Sequence, residues 1–400
     1  MSTPHLPAAA RPTLTAALPP AHATRRRWLA AAAAATCAPW LGAGRAHAQE
    51  GAVRIGQSTA LTGPLGDLGS AMHQGAKAAF AAINARGGVH GKAVELVTLD
   101  DAYEVPKALA NVDQFLADRD LFALFNCMGT PMIEAMLPKV IDSGMPFVAP
   151  FTGAQLSRVK SARNVFNIRA SYADEAEKLV QHLSTIGIQR LGIVYQNNSF
   201  GKEVFQSARQ SMDRLKLPEA LAVTVENNAS DAGAAAAKLA GGHLEAVVIG
   251  LAGKPTLEFV KAFRALQRGV ALYALSVMGT PATVKALGPD ATGMAISQVV
   301  PLPSNVVMPV VRDFQAAWKA AGATAEPSHL ALEGYINARV FAEALQRAGR
   351  NPGRAAFLDA LWGLKKWDLG GFEIHATTPD RNASRFVELT LVGRDGRFLR

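Results

Sequence analysis

The feature that most constrains this chain is an alternation: from Val53 onward, short apolar runs are separated by longer segments of helical period. Apolar runs are read at "VRIGQS" from Val53, "VELVTLD" from Val94, "LFALF" from Leu121 and "PFVAP" from Pro146. More follow at "RLGIVY" from Arg190, "LAVTV" from Leu221, "EAVVIG" from Glu245 and "ALYAL" from Ala271. Strand-length runs alternating with helical periods mark βαβ units and a mostly parallel sheet, so the fold class is α/β. In "AMHQGAKAAFAAINARGG", for instance, Ala76, Ala79, Phe80 and Ile83 share one helical face, and Gly87-Gly88 ends the helix.

The alternation restarts. Residues 190–215, "RLGIVYQNNSFGKEVFQSARQSMDRL", repeat the strand, polar glycine-containing loop and helix that begin at Val53. The chain has 400 residues, 49% of them hydrophobic, and single cores stop growing near ~250–300 residues. Two similar α/β lobes are therefore expected. The tail departs from the pattern: "FEIHATTPDRNASRFVELTLVGRDGRFLR" reads as antiparallel strands joined by polar turns, with "RDG" the last of them.

The first 48 residues read as an address. A charged segment is followed by an alanine-rich apolar stretch and then by Ala46-His47-Ala48, the small-x-small pattern of a signal peptidase site, which places the cut near Ala48-Gln49. Arg25-Arg26 followed by Trp28-Leu29 matches a twin-arginine export signal. The apolar run from Trp28 to Trp40 is shorter than the roughly 20 residues needed to span a bilayer. Cys37 is a conceivable lipidation site, but Ala34-Ala35-Thr36 before it lacks the usual large aliphatic residue. Removing this segment takes away five arginines and no acid, which lowers the formal charge from +9 to +4. It also leaves Cys127 as the only cysteine, so no intrachain disulfide is possible.

Most chemical signals are weak. "GQSTA" (Gly56 to Ala60) shares the form of a nucleophile elbow, but an elbow runs straight into a helix, whereas Gly63, Pro64, Gly66 and Gly69 are expected to break any helix until about residue 70. A strand end and ligand-facing loop is the ordinary reading. The six histidines after residue 48 are scattered without metal-ligand spacing, so no metal is implied. "ARGGVHGK" lacks the phosphate-binding glycine spacings, which leaves no nucleotide cofactor. Basic residues are interspersed with acids, so no nucleic-acid surface is expected.

"FNCMGTP", residues 125 to 131, is the informative stretch. Cys127 is either a nucleophile or a small buried residue, and no histidine lies between His90 and His182 to serve as its base. Thr130 before Pro131 has the order of an N-cap and a first helical residue, with Gly144 as the stop and Pro138 as a kink. The free N–H groups of such a start, with the helix dipole and the Thr130 hydroxyl, can hold an anion; alternatively, Thr130 only caps its own helix.

Four segments carry a resemblance across nearly the whole chain after Val53: "IGQSTALTGPLGDLGSAMHQGAKAAFAAINARGGVHGKAVELVTLDDA", "GTPMIEAMLPKVIDSGMPFVAP", "LGIVYQNNSFGKEVFQSAR" and "ALEGYINARVFAEAL". Together they resemble the periplasmic solute-binding proteins of ABC importers, of the Leu/Ile/Val-binding type. The resemblance implies two similar Rossmann-like lobes with parallel sheets joined by a multi-strand hinge, closing on a small ligand. Lobe one is expected over 49–168 and 298–363, and lobe two over 169–297 and 364–400. The ligand carboxylate is then expected where Thr130 meets the Phe151-Thr152-Gly153 loop. Leu68, Met128, Phe200 and the 251–253 loop with Leu251 are expected along the remaining walls.

Three departures from the family pattern bear on the ligand. Amino-acid-binding members place a carboxylate near the segment that here reads "LSVMGTPAT" (275–283), and this chain offers Ser276, Met278 and Thr280 instead. Leu68 replaces an aromatic common in the first loop, and Tyr103 stands where one cysteine of a disulfide found in some members would be. An exported, monomeric binding protein in the periplasm is expected, catalysing nothing. The resemblance implies a small ligand of the amino-acid, aromatic or aliphatic carboxylate, or amide class. With no acid in 275–283 and a pocket more apolar than usual, a carboxylate or amide without a free ammonium is expected over an amino acid, passed to an ABC permease and its ATPase. A ligand-sensing receptor subunit of the same fold is the alternative.

Overall fold

The computed structural model describes residues 51–400; the export segment over 1–48, its cut near Ala48-Gln49 and Cys37 lie outside the described residues. The chain first lays down β1 (Val53–Thr59), α1 (Gly66–Ala85), β2 (Val94–Asp100), α2 (Val105–Ala117), β3 (Leu121–Phe125), α3 (Thr130–Ser143), β4 (Phe147–Val148) and β5 (Val165–Phe166). It then crosses into α4 (Tyr172–Thr185), β6 (Leu191–Gln196), α5 (Ser199–Arg214), β7 (Leu221–Val225), α6 (Ala232–Ala240) and β8 (Ala246–Gly250). That half is completed by α7 (Lys254–Leu266), β9 (Ala271–Ala274), α8 (Pro281–Leu287) and β10 (Ala295–Gln298). The chain returns through α9 (Pro309–Ala320), α10 (His329–Ala348), α11 (Arg354–Trp362) and the short β11 (Trp367–Asp368) and β12 (Glu373–Ile374), then ends in β13 (Glu388–Val392) and β14 (Phe398–Leu399).

Two sheets result. The first has the order β2-β1-β3-β4-β5 and is parallel throughout. The second has the order β14-β13-β10-β9-β8-β6-β7, parallel from β10 to β7, with β13 antiparallel to β10 and β14 antiparallel to β13. The expected antiparallel tail is thus the edge of the second sheet, turned at Asp395-Gly396. Three crossings, after β5, after β10 and after β12, join the two lobes.

The central strands of the two large sheets are buried on both faces, which is why they read as continuous apolar runs. In β8, Ala246 and Val248 pack in the core under α4 and α5, while Val247 and Ile249 pack in the core under α6 and α7. In β3, Ala123 and Phe125 face α1, α9 and α10, while Leu121 and Leu124 face α2 and α3. The two short strands β5 and β10 had no apolar run long enough to announce them.

One expectation about the first loop is corrected. Helix α1 begins at Gly66, not near residue 70. A Cβ on Gly69 would lie 2.0 Å from the Ala60 carbonyl oxygen. The glycine is present because the first turn of α1 is pressed against the exit of β1, and this close approach offsets its poor helix propensity.

Candidate functional site

Ligands in open parallel sheets gather at the carboxyl ends of the strands, and here those ends from both sheets face one another. They enclose a small cavity of about 20 Å3, room for roughly one water. Leu65, Leu68, Tyr103, Met128, Gly129, Thr130 and Phe151 come from loops of the first sheet. Tyr172, Phe200, Ala252 and Val277 come from elements of the second. A bridge between Met128 and Phe151 ties the loops after β3 and β4 together.

Five of the residues expected along the walls meet in this cavity: Leu68, Met128, Thr130, Phe151 and Phe200. Three lie outside its lining. Thr152 is buried behind Thr130, with the two hydroxyl oxygens 2.7 Å apart, and accepts the Ala154 amide at 3.1 Å. Gly153 lies beneath Tyr172, where a Cβ would come 2.5 Å from the ring. Leu251 points into the core formed with Ile249 and Phe259. Ala252 belongs to the expected 251–253 loop and lines the cavity, whereas Leu65, Tyr103, Gly129, Tyr172 and Val277 were not expected along the walls; Leu65 shares a short loop with an expected residue, and nothing local distinguishes Tyr172.

The start of α3 departs from expectation by one residue. Gly129, at φ 96°, is the N-cap, and Thr130 is the first helical residue, without a capping side-chain bond. A threonine does not tolerate that φ, and a Cβ on Gly129 would also meet the Tyr103 ring at 2.9 Å. Thr130 therefore puts its hydroxyl on Thr152 instead of on its own helix. Pro138 lies inside α3, and Gly144, left-handed at φ 65°, ends it as expected. Ile133 donates to the Gly129 carbonyl at 2.9 Å, while among the described residues the amides of Thr130 and Met132 have no backbone acceptor. Two free N–H groups, the Thr130 hydroxyl and the positive end of the helix dipole are thus collected beside an otherwise apolar cavity.

Behind the Phe151 and Tyr172 rings lies a charged cluster that sequence reasoning missed. Arg169 stands with its guanidinium carbon 5.4 Å from the Phe151 ring centroid and 5.9 Å from that of Tyr172. It contacts Glu175 of α4 at 3.3 Å and Glu333 of α10 at 3.7 Å, and donates to the Ser276 hydroxyl. All three charged side chains are at most 4% exposed. Glu175 accepts four donors: the Ser276 amide at 2.9 Å, its hydroxyl at 3.1 Å, the Ser297 hydroxyl at 2.7 Å and Arg169. Two carboxylates therefore do stand against the 275–283 segment: Glu175, whose oxygens are already engaged, and the exposed Asp67, which accepts the Thr280 and Thr283 hydroxyls at 3.2 Å. Burial pushes the Glu333 carboxyl up to about 7, against the pull of Arg169 and with the Glu175 charge adding to the rise. An arginine inside "VFNIRA", between apolar residues, was the available signal.

Cys127 is fully buried and its sulfur accepts the Ser58 amide at 3.4 Å. Burial pushes its thiol up to about 12, so the nucleophilic thiolate is suppressed. Ser58 donates its hydroxyl to Asp101 at 2.8 Å and is buried too. Cys127→Ser is expected to cost on the order of 1 kcal/mol in urea unfolding, by burying a hydroxyl where the structure offers it the Ser58 amide as a donor and a thiol had fitted the apolar site, and to leave ligand affinity unchanged in calorimetric titration. Lost binding at unchanged stability would instead place Cys127 in the site. Among the described residues, no group of three or more histidine, cysteine or acidic side chains is placed to hold a metal, and no helix is long and apolar enough to cross a membrane.

A family model described as periplasmic binding protein matches residues 52–397. The structure is similar to a substrate-binding periplasmic protein from Ralstonia solanacearum, with 32% identity, a TM-score of 0.81, and coverage of 87% of this chain and 99% of that one. It is also similar to a possible leucine/isoleucine/valine-binding protein from Rhodopirellula baltica SH 1, at 28% identity and a TM-score of 0.83, covering 90% and 98% of the two chains. In sequence, the Leu/Ile/Val-binding protein homolog 3 of Brucella melitensis is 24% identical over 209 residues, 52% of this chain and 56% of that protein. The chain spans about half the length of the curated relatives it matches first, 56% and 44%.

Proposed function

The chain belongs to the periplasmic binding protein family, and on that premise we propose that it is the substrate-binding component of an ABC-type importer of the branched-chain amino-acid class. It takes a small, largely apolar carboxylate or amide between its two lobes and delivers it to a membrane permease powered by an ATPase. The observation that carries this reading is the cavity itself: largely apolar and aromatic walls drawn from both sheets, with the polar groups of the α3 start among them. A ligand larger than a water requires those walls to part, and closure over it couples occupancy to recognition by the permease. Lobe one comprises 49–168 and 298–363, and lobe two 169–297 and 364–400. The protein works as a monomer in the periplasm after removal of residues 1–48, and catalyses no reaction.

The ligand carries no ammonium group in this reading. Of the two carboxylates against the 275–283 segment, Glu175 already accepts four hydrogen bonds. Asp67, held by the Thr280 and Thr283 hydroxyls, is exposed and outside the cavity lining. An α-ammonium in the cavity would therefore be buried without a counter-charge, which is costly. The test is a thermal-shift screen of the mature protein followed by calorimetry, comparing leucine and phenylalanine with 4-methylpentanoate, 4-methyl-2-oxopentanoate and 3-phenylpropionate. A ligand at 100 times its Kd raises stability by about 2.7 kcal/mol. The deaminated or keto analogue is expected to bind at least tenfold more tightly than its parent amino acid. Tight binding of either amino acid, with the analogues tenfold weaker, overturns this reading of the ligand.

A further inference from the structure

Tyr103 reaches the cavity through an uncommon backbone. Ala102 and Tyr103, immediately after the acidic pair that ends β2, adopt φ values of 50° and 63°. Two consecutive side-chain-bearing residues in the left-handed region are strained, and such strain persists only where the surroundings fix it.

The surroundings that fix it can be named. Asp101 is fully buried, and its carboxylate accepts the Tyr103 amide at 2.9 Å and the Ser58 hydroxyl at 2.8 Å. The Ser58 hydroxyl in turn accepts the Asn111 side chain at 3.1 Å, so the anchor is itself held. Asp100 accepts the Ala102 amide at 2.9 Å and the Leu61 amide at 2.8 Å, joining this turn to the loop that carries Leu65 and Leu68. The ring then lies against Gly129, where a Cβ would come within 2.9 Å of it. Tyr103 is thus wedged beside the start of α3, where the cavity wall bears free helix amides.

We infer that Tyr103 sets the length of ligand the cavity accepts, and that Asp101 is the positioning residue that holds it there through the strained turn. The inference rests on the reading of this cavity as the ligand site. It supplies a determinant of ligand size within that reading. A large ring fixed beside the helix start takes up wall space that a ligand held there would otherwise occupy, and so limits the length the cavity accepts. A rigid backbone makes that limit a hard one, because a left-handed turn tied by a buried carboxylate has no neighbouring conformation to relax into. Removing the ring lengthens the space, and removing the anchor lets the ring leave it.

Two measurements test this, one of them without any ligand. Hydrogen exchange and crystal structures of the mature protein compare wild type with Asp101→Ala and Asp101→Asn. In Asp101→Ala the amide of Tyr103 is expected to exchange at least tenfold faster and the ring to leave Gly129. Asp101→Asn, which keeps an oxygen for the Tyr103 amide, should restore most of the protection. Unchanged exchange and an unmoved ring in Asp101→Ala overturn the positioning role. The second measurement is calorimetric titration of wild type, Tyr103→Phe and Tyr103→Ala with the straight-chain carboxylates from butanoate to octanoate. Tyr103→Ala is expected to shift the preferred length by two or more carbons, improving the longer acids at least tenfold relative to butanoate, while Tyr103→Phe keeps the wild-type order. The same order in all three proteins overturns the size-setting role. If no acid of the series binds any of them, the carboxylate reading and the size-setting role fall together, while the exchange result decides Asp101 independently. Should Asp101→Ala fail to fold, the Tyr103 pair still decides the size-setting role and Asp101→Asn the positioning role, by a moved or unmoved ring.

Discussion

Arg169→Leu is expected to lower the free energy of unfolding by about 3–5 kcal/mol, the cost of breaking a buried ion cluster by removing one partner. The arginine, 2% exposed, lies between Glu175 and Glu333, which are 0% and 4% exposed. Without it, two buried carboxylates face each other with no cation between them. The leucine also gives up the contact with the Phe151 and Tyr172 rings, so two cavity walls lose their backing. The defect should depend on pH, and the sign can be worked out from Glu333. Its folded value of about 7 lies above its ordinary 4.5. The stability linked to its protonated form is therefore fully present below about 4.5 and is lost as pH rises through about 7. Arg169 pulls that carboxyl down, so its removal raises the folded value further and extends the loss to higher pH. Urea unfolding at pH 5 and pH 8 should show a smaller deficit at pH 5 and a larger one at pH 8. An equal deficit at both values assigns the loss to packing, and a deficit below about 1 kcal/mol removes the cluster from the stability account.

Thr130→Ala should weaken binding of the acid ligand roughly ten- to a hundredfold, since a hydrogen bond to a charged group is worth about 1.5–3 kcal/mol. Its effect on stability should be smaller than a lost cap implies, because Gly129 occupies the cap position and Thr130 bonds Thr152. About 1 kcal/mol is expected, the worth of one buried hydrogen bond. Thr152 keeps the Ala154 amide as donor after the change, which limits the damage. Thr130→Ser retains the hydroxyl and should bind within a few-fold of wild type. Calorimetry with the acid and its methyl ester separates the possibilities. An ester bound as well as the acid, or Thr130→Ala binding like wild type, would reduce this helix start to a structural element.

Much of the fold was legible in the chain. Both-faced burial made Leu121–Phe125 readable to the residue, because every position in it is apolar; the edge strand Leu221–Val225, buried at Val223 and Val225, was read from its β-branched run. The helix start at Thr130-Pro131 was legible to within one residue for a related reason: proline and glycine act on the backbone beside them. What shifted it was remote. The cap fell on Gly129 because the Tyr103 ring leaves no room for a Cβ there, and Tyr103 is brought in by a turn after a different strand. Similarly, Gly66 and Gly69 looked like helix breakers when read alone and proved to be the points where a helix touches a strand exit.

The charged cluster marks the opposite limit. Arg169, Glu175 and Glu333 sit in three ordinary contexts, one of them more than 150 residues away in sequence, and no period or spacing links them. By itself the sequence determined the α/β class, the positions of eight strands and of the helices after β1, β3 and β6, and the helix start that offers free amides, because periodicity, burial and backbone restriction act over a few residues. Only the tertiary structure decided which loop ends meet, that Glu175 is already occupied, and that Tyr103 and Tyr172 complete the cavity. Those outcomes depend on sterics and charge between segments distant in the chain, which become neighbours only once the two sheets have formed.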